Sequence, residues 1–381
     1  MHLAFLTPEY PHEVTSPAAG IGTSIKNMAV ALIEAGVKVS VFVYGQKEET
    51  IFLEGGIKFH LLKSHSFKFG GWFLNRKIIQ KYLNKHILAD KIDAIEAPDW
   101  TGITAFMQLK CPLVIRMNGS DAYFCRLDGR RQKRKNFWFE KTALKSADYL
   151  LSVSEFTANQ TAEIFNLKKP IEIIPNSVDV EKFKPSQIAF VQNRILYFGS
   201  IIRKKGLLEL AQIFNEVNAK NPTAELIIAG RDVVDNKTGK STKNLMLEIL
   251  SDPAQKQTHW LGMLAYEEIQ KQIALANVVV LPSFAEALPM TWLEAMAMEK
   301  ALVTSDIGWA KEVMVDGKTG FTENPKNISV YADKILQLLQ NPTLAKEMGG
   351  AARARVKQKF STEVVTKRNV EFYDRIIQDK M

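Results

Sequence analysis

Short runs rich in β-branched residues alternate with longer amphipathic stretches along the whole chain, and this alternation constrains the fold more than any other feature. Strands separated by helix-length segments pair in parallel through crossovers, so the pattern specifies parallel-sheet α/β architecture. In the first half the strand-forming runs fall at 2–6, 37–44, 57–61, 94–96, 113–117, 149–153 and 172–174. After PNSVDVEKFKP at 175–185 the alternation restarts, with runs at 194–198, 224–229, 258–261, 278–281 and 301–304. The restart, with Pro175 and Pro185 at its edges, predicts two Rossmann-like domains, 1–178 and 179–360. Helices are predicted at 328–339, 344–359 and 362–377, the last within a segment, 361–381, that can pack back on the first domain. Two such domains are expected to face each other across a cleft, with ligands outside the carboxyl ends of the strands.

Composition narrows the class. A chain of 381 residues can bury two cores, and 46% hydrophobic with 24% charged residues excludes global disorder. No segment approaches the roughly 20 apolar residues that span a bilayer, and MHLAFLTPEY is too short for a secretory signal. A cytoplasmic protein is expected. Cys111 and Cys125 cannot make a disulfide framework and lack the company of a zinc site, so they read as ordinary thiols. The net charge of +9 suits an anionic substrate or an anionic membrane face. Nucleic acid is excluded as a partner, because no zinc finger, recognition helix or RNA-binding signature accompanies the charge.

The sharpest chemical signal is FAEALPMTWLEAMA at 284–297, which puts Glu286 in a loop and Glu294 within an otherwise apolar helix. A buried carboxylate without a partner is costly, so Glu294 must face a cavity or a hydrogen-bonding group. Pro289 sits where a helix can begin without its missing N–H, leaving the amides of Met290 and Thr291 to face an anion. Glu294 lies one turn further along on the Thr291 face, suited to accept from paired hydroxyls such as those of a ribose. A second signal is YFGSIIRKKGLLEL: strand, Gly199, the cations Arg203, Lys204 and Lys205, Gly206, then a helix. It fits a phosphate or diphosphate, with a merely solvated basic loop as the lesser alternative. Near the N-terminus, Gly20 and Gly22 precede a helix expected to begin near Ser24. They allow close approach to a ligand or simply form a turn capped by Thr23 or Ser24. Neither loop has the Walker form or the full dinucleotide fingerprint, which argues against a nucleoside triphosphatase and an oxidoreductase.

The run PSFAEALPMTWLEAMAMEKALVTSDIGWAKEVMVDGKTGF resembles the E-x7-E region of retaining GT-B glycosyltransferases of group 1, the family-4-like enzymes. LTPEYP, GIGTS, RMNGSD at 116–121, SVSEFTA at 152–158, IPNSVDVEKFKP, FGSIIRKKG and HWLGMLAYEEI extend the resemblance, in family order, over nearly the whole chain. The resemblance implies a GT-B fold and a hexosyltransferase that moves sugar from a nucleotide-diphosphate sugar to a glycan or lipid-linked saccharide. It implies that Lys205 binds the diphosphate, Glu286 the donor sugar and Glu294 the ribose. The backbone at Met290 and Thr291, and Gly22 from the first domain, would help to hold phosphate. It implies front-face transfer with retained configuration and no cofactor or metal, consistent with the absence of an Asp-x-Asp motif. Two positions depart from the pattern: Ser200 stands where the family often has arginine, a gap Arg203 is expected to fill, and Asn118 stands where many members carry histidine. Asn118 can hydrogen-bond a sugar but cannot exchange a proton as imidazole does. These departures leave a rival reading open, a non-catalytic nucleotide-sugar or glycan-binding protein of the same fold. Asp121 beside Asn118 is either a polar contact or a helix cap.

RLDGRRQKRK at 126–135 holds six basic residues and runs into Phe137, Trp138 and Phe139; FKFGGWFLNRK at 67–77 is a second such cluster. Basic residues beside large aromatics can hold a protein peripherally against an anionic bilayer, and equally form a solvated helix face.

Overall fold

The computed structural model describes residues 1–15 and 20–379. The chain divides into two compact units, Met1–Ser177 with Thr362–Met381, and Val178–Ser361.

The first unit contains β1 (His2–Thr7), β2 (Lys38–Gln46), β3 (Thr50–Glu54), β4 (Ile57–Lys63), β5 (Ala94–Pro98), β6 (Leu113–Met117), β7 (Tyr149–Ser152) and β8 (Ile171–Ile173). They form one sheet in the order β3-β4-β2-β1-β5-β6-β7-β8, parallel throughout except where β3 pairs antiparallel with β4. Strands β5 and β6 are buried at every position, as expected when helices cover both faces of a parallel sheet. Strand β3 was not anticipated from sequence because four of its five residues are exposed, leaving no one-sided apolar periodicity. Its turn is set locally: Gly55 and Gly56, with φ of 55° and 78°, make the two-residue left-handed connection that suits hairpin twist.

The helix Thr362–Gln378 belongs to this unit. Its Val365, Phe372, Tyr373 and Ile376 join the core built from Leu3, Phe5, Val39 and Val41. A buried polar contact sets its register. Arg116 on β6 donates to both oxygens of Glu96 on β5, each at 2.8 Å, and to Asn369 Oδ1 at 2.7 Å, while the Tyr373 hydroxyl donates to Glu96. A buried ion pair is tolerable only when its remaining lone pairs and protons are satisfied in this way.

The second unit contains β9 (Arg194–Phe198), β10 (Glu225–Ala229), β11 (Thr258–Gly262), β12 (Val278–Leu281), β13 (Leu302–Thr304) and β14 (Phe321–Thr322). Their order is β11-β10-β9-β12-β13-β14, every neighbouring pair parallel. The chain winds outward in one direction from β9 and in the other from β12, so these adjacent strands form the topological switch point. The carboxyl ends of the strands at such a switch point are the usual place for a ligand in an open α/β sheet. The first sheet has the same arrangement at β1 and β5.

Candidate active site

The loops that leave β9 and β12 are the two that carry the acid and base residues singled out in the sequence. After β9 the chain passes Gly199 and Ser200 into a one-turn helix, Arg203–Lys205, that stops at Gly206. Gly206 has φ 73°, and a Cβ there would stand 2.0 Å from the carbonyl oxygen of Pro282, so no other residue lets the β9 turn lie against the β12 loop. The Phe284 N–H donates to the Lys204 carbonyl at 2.8 Å and fastens the two loops together. This brings Lys205 Nζ to 3.3 Å from Glu286 Oε1, and the Ser283 hydroxyl donates to the same oxygen at 3.0 Å. The lysine and glutamate side chains are 20% and 15% exposed, enough for a ligand to reach them yet low enough to strengthen their attraction.

The helix Met290–Ala297 begins after Pro289, with no side-chain cap on its first amides, and Met290 and Thr291 are half-buried there. Glu294, 7% exposed, accepts a 2.8 Å hydrogen bond from the Tyr266 hydroxyl. Lys182 Nζ lies 4.5 Å from the Tyr266 ring centre. Burial pushes the Glu294 carboxyl up to about 7, while the Tyr266 hydrogen bond and the charges of Lys205 and Lys182 pull it back. The partner demanded by a buried carboxylate is therefore a tyrosine 28 residues earlier in the chain.

Other anticipated residues lie differently. Arg203 makes a two-pronged ion pair with Asp235, at 2.8 and 2.9 Å, and the Thr238 hydroxyl donates to the same carboxylate. Its guanidinium is engaged in bracing the 232–241 loop, whereas it was expected to replace an arginine at position 200. Ser200 is exposed, and its carbonyl accepts from the Tyr197 hydroxyl at 2.8 Å.

In the first unit the helix expected near Ser24 already includes Gly20, in the range Gly20–Glu34, and residues 16–19 of the preceding loop lie outside the described residues. Gly22 is therefore within the first turn, where its N–H donates to Glu9 Oε1 at 2.9 Å. Ser24 does not cap; its hydroxyl donates to Asn176 Oδ1 at 2.9 Å. Asn118 follows β6, half-buried, and its N–H donates to Asp99 Oδ1 at 3.0 Å. Burial pushes the Asp99 carboxyl up to about 8. Asp121 opens the helix Asp121–Leu127, but the cap is Ser120, and the Asp121 carboxylate instead takes Arg130 at 2.9 Å.

Tyr266, Ser283 and Asp99 were not anticipated. Ser283 stood within the quoted motif and could have been found by its three-residue spacing from Glu286. Tyr266 and Asp99 had no local signal, since each meets its partner only through sheet topology.

The two aromatic and basic clusters of the first unit meet. Trp72 and Trp138 ring centres are 6.2 Å apart, Phe106 and Trp138 4.8 Å, and Lys135 Nζ lies 5.7 Å from the Trp72 ring. Phe69 is 88% exposed and Trp138 50%. Among the described residues no helix is long and apolar enough to cross a membrane.

Comparison with known proteins places this geometry. The family model "Glycosyl transferases group 1" matches residues 179–355, and "Glycosyltransferase Family 4" matches 18–182. The alpha-maltose-1-phosphate synthase of Mycolicibacterium smegmatis is 25% identical over 63% of this chain, and the match spans 66% of that relative's length, just under two thirds. Sucrose-phosphate synthase from Thermosynechococcus elongatus superposes with a TM-score of 0.80 at 16% identity, covering 99% of both chains. Anabaena HepE in complex with UDP-glucose superposes with a TM-score of 0.75 at 18% identity, covering 98% of this chain and 100% of that one. With two parallel-sheet units matching this fold from end to end, and consecutive family models running from residue 18 to residue 355, the chain belongs to the group 1 glycosyltransferases of GT-B fold.

Proposed function

We propose that the protein is a hexosyltransferase that transfers sugar from a nucleotide-diphosphate sugar to a glycan or lipid-linked saccharide, with retention of anomeric configuration and without a metal in the transfer step. The observation that carries this reading is the 3.3 Å approach of Lys205 to Glu286 at the β9/β12 switch point. A diphosphate entering there meets the Lys205 ammonium and the uncapped amides of Met290 and Thr291, which together neutralise negative charge as the glycosidic bond breaks. Glu286, oriented by the Ser283 hydroxyl, accepts hydrogen bonds from donor-sugar hydroxyls. Glu294 accepts from the ribose hydroxyls, with Tyr266 fixing its rotamer.

On the front-face route that this family resemblance implies, the departing diphosphate itself removes the acceptor proton on the same face and configuration is retained, so an asparagine at 118, which cannot take a proton, is tolerated. Asn118, with its backbone held by Asp99, supplies a hydrogen bond to the reacting sugar. Gly22 donates its N–H to Glu9, so a phosphate role at this position requires Glu9 to turn away. Ser200 and Arg203 take outer positions, Ser200 through its hydroxyl and Arg203 by bracing the basic turn through Asp235. The acceptor is assigned to the first unit, whose exposed Phe69, Trp72 and Trp138 beside Lys135 suit peripheral contact with an anionic bilayer that carries a lipid-linked acceptor.

The test is incubation with a panel of nucleotide sugars, reading release of the nucleoside diphosphate with and without acceptor extracts. Wild type is expected to release it slowly by hydrolysis, and Glu286→Ala to lower the rate at least about 100-fold. Donor binding without release under any condition would replace this reading with that of a binding protein. For the membrane surface, Trp138→Ser with Trp72→Ser should abolish sedimentation with phosphatidylglycerol vesicles, and equal sedimentation would refute it.

A further inference from the structure

The transfer chemistry leaves unused a histidine cluster in the first unit. His60 sits on β4; His86 and Asp90 are four residues apart on the helix Gly71–Asp90, a spacing that puts both on one face. One ligand-capable atom from each lies within 4.8 Å of those from the other two. His60 is fully buried, and its Nε2 has no hydrogen-bond partner. Its Nδ1 lies 3.1 Å from the Tyr82 hydroxyl, and its ring stacks on Phe42 with centres 4.4 Å apart. The His86 ring meets it edge-on at 4.4 Å, and His86 Nδ1 lies 3.1 Å from Asp90 Oδ2.

We infer that His60, His86 and Asp90 are the protein ligands of a site for one zinc-class divalent transition-metal ion that ties β4 to the helix Gly71–Asp90. Buried polar atoms in folded proteins almost always have a partner, so a fully buried imidazole nitrogen without one marks a missing neighbour. With Nδ1–H donated to Tyr82, Nε2 of His60 presents a bare lone pair, the form in which imidazole binds metal, and the tyrosine fixes that tautomer as outer partners of metal-bound histidines do. Two imidazoles and a carboxylate are the donor set that zinc takes, at about 2.0–2.2 Å from each ligand atom. A tetrahedral ion would hold those atoms about 3.4 Å apart, so modest side-chain rotation closes the present spacing. Asp90, its side chain 21% exposed, leaves an approach for a water as fourth ligand.

Lys58 is the built-in competitor. Its Nζ lies 2.8 Å from both Asp90 oxygens and neutralises the carboxylate when no ion is bound. His2 also reaches the cluster: its Nδ1 lies 2.9 Å from the Asp90 carbonyl, which anchors the helix end to the start of β1. The cluster therefore lies between the middle of β4, where His60 is in register with Phe42, and the carboxyl end of the helix Gly71–Asp90, whereas the Gly22 and Asn118 loops leave the carboxyl ends of β1 and β6. A structural role follows from this placement, separate from sugar transfer.

The chelator-treated full chain is titrated with cobalt(II) chloride, reading visible absorption, and with zinc chloride by calorimetry and thermal melting. One ion per chain with a visible cobalt band is expected, and zinc should raise the melting temperature. His86→Gln should lower affinity at least about tenfold and abolish the zinc shift. Lys58→Met, which frees the carboxylate, should raise affinity about tenfold. His60→Phe should lose the cobalt band; if its circular dichroism shows that it does not fold, His86→Gln alone decides. Absence of a band, equal stoichiometric binding by wild type and His86→Gln, or unchanged affinity in Lys58→Met would each overturn the proposal.

Discussion

The buried carboxylate of Glu294 makes a prediction that depends on tertiary structure alone. In the unfolded chain it titrates at the ordinary 4.5; in the fold, burial among Trp292, Leu293, Ala295 and Met296 raises it to about 7. Between those values the folded state retains a proton that the unfolded state has released, so stability falls as pH rises through the window. The full difference corresponds to about 3 kcal/mol lost by pH 8. Glu294→Gln abolishes the titration while keeping an oxygen to accept from Tyr266. The variant should therefore match wild type near pH 4.5 and exceed it by about 3 kcal/mol at pH 8. Urea unfolding followed by tryptophan fluorescence across pH 4.5–8 measures the gap, since Trp260, Trp292 and Trp309 all lie in the second unit. If both proteins show parallel pH dependence, Glu294 ionises normally and the argument for a costly, functionally retained charge fails. The same variant bears on the proposed ribose contact. Nucleotide diphosphate affinity in wild type should fall about tenfold per pH unit below 7, as the carboxylate takes up the competing proton, and Glu294→Gln should bind weakly with a flat profile.

Other consequences are more direct. Lys205→Met should leave the melting temperature nearly unchanged, because the lost ion pair is partly exposed and Ser283 still holds Glu286; donor turnover should fall at least about 100-fold. Gly206→Ala should cost at least about 2 kcal/mol in unfolding and abolish turnover, since its Cβ meets Pro282 and separates the two loops. Phe372→Ala should destabilise the first unit by about 3–5 kcal/mol in denaturant titration, although it lies near the end of the chain. Asp99→Asn should stabilise the protein between the ordinary carboxylate value and pH 8, the window in which folding at present requires a buried acid to stay protonated; melting curves at pH 5 and pH 8 give the comparison.

Strand positions were legible because apolar runs in a parallel sheet are buried on both faces, as in β6, β9 and β12, whose limits coincide with the sequence reading. The reading failed at β3, which is exposed, and at the two-residue β14, which is too short to carry a pattern. It also began the first long helix too late, since Gly20 and Gly22 look like turn residues, yet Glu9 satisfies the Gly22 amide from outside the helix. Arg203 marks a limit of another kind: its place in the basic turn is local, but its two-pronged pair with Asp235, 32 positions on, is made only by the fold.

What the sequence determined by itself was periodic or local: parallel α/β class, the restart near residue 178, a basic turn after one strand and a carboxylate pair after another. Such features depend on side-chain spacing along one element and on glycine and proline backbone preferences, which act over a few residues. The approach of Lys205 to Glu286, the Tyr266 partner of Glu294 and the seating of the last helix beside Glu96 and Arg116 were decided only by tertiary structure. Strand order makes neighbours of segments tens to hundreds of residues apart, and burial then alters charges that composition can only count.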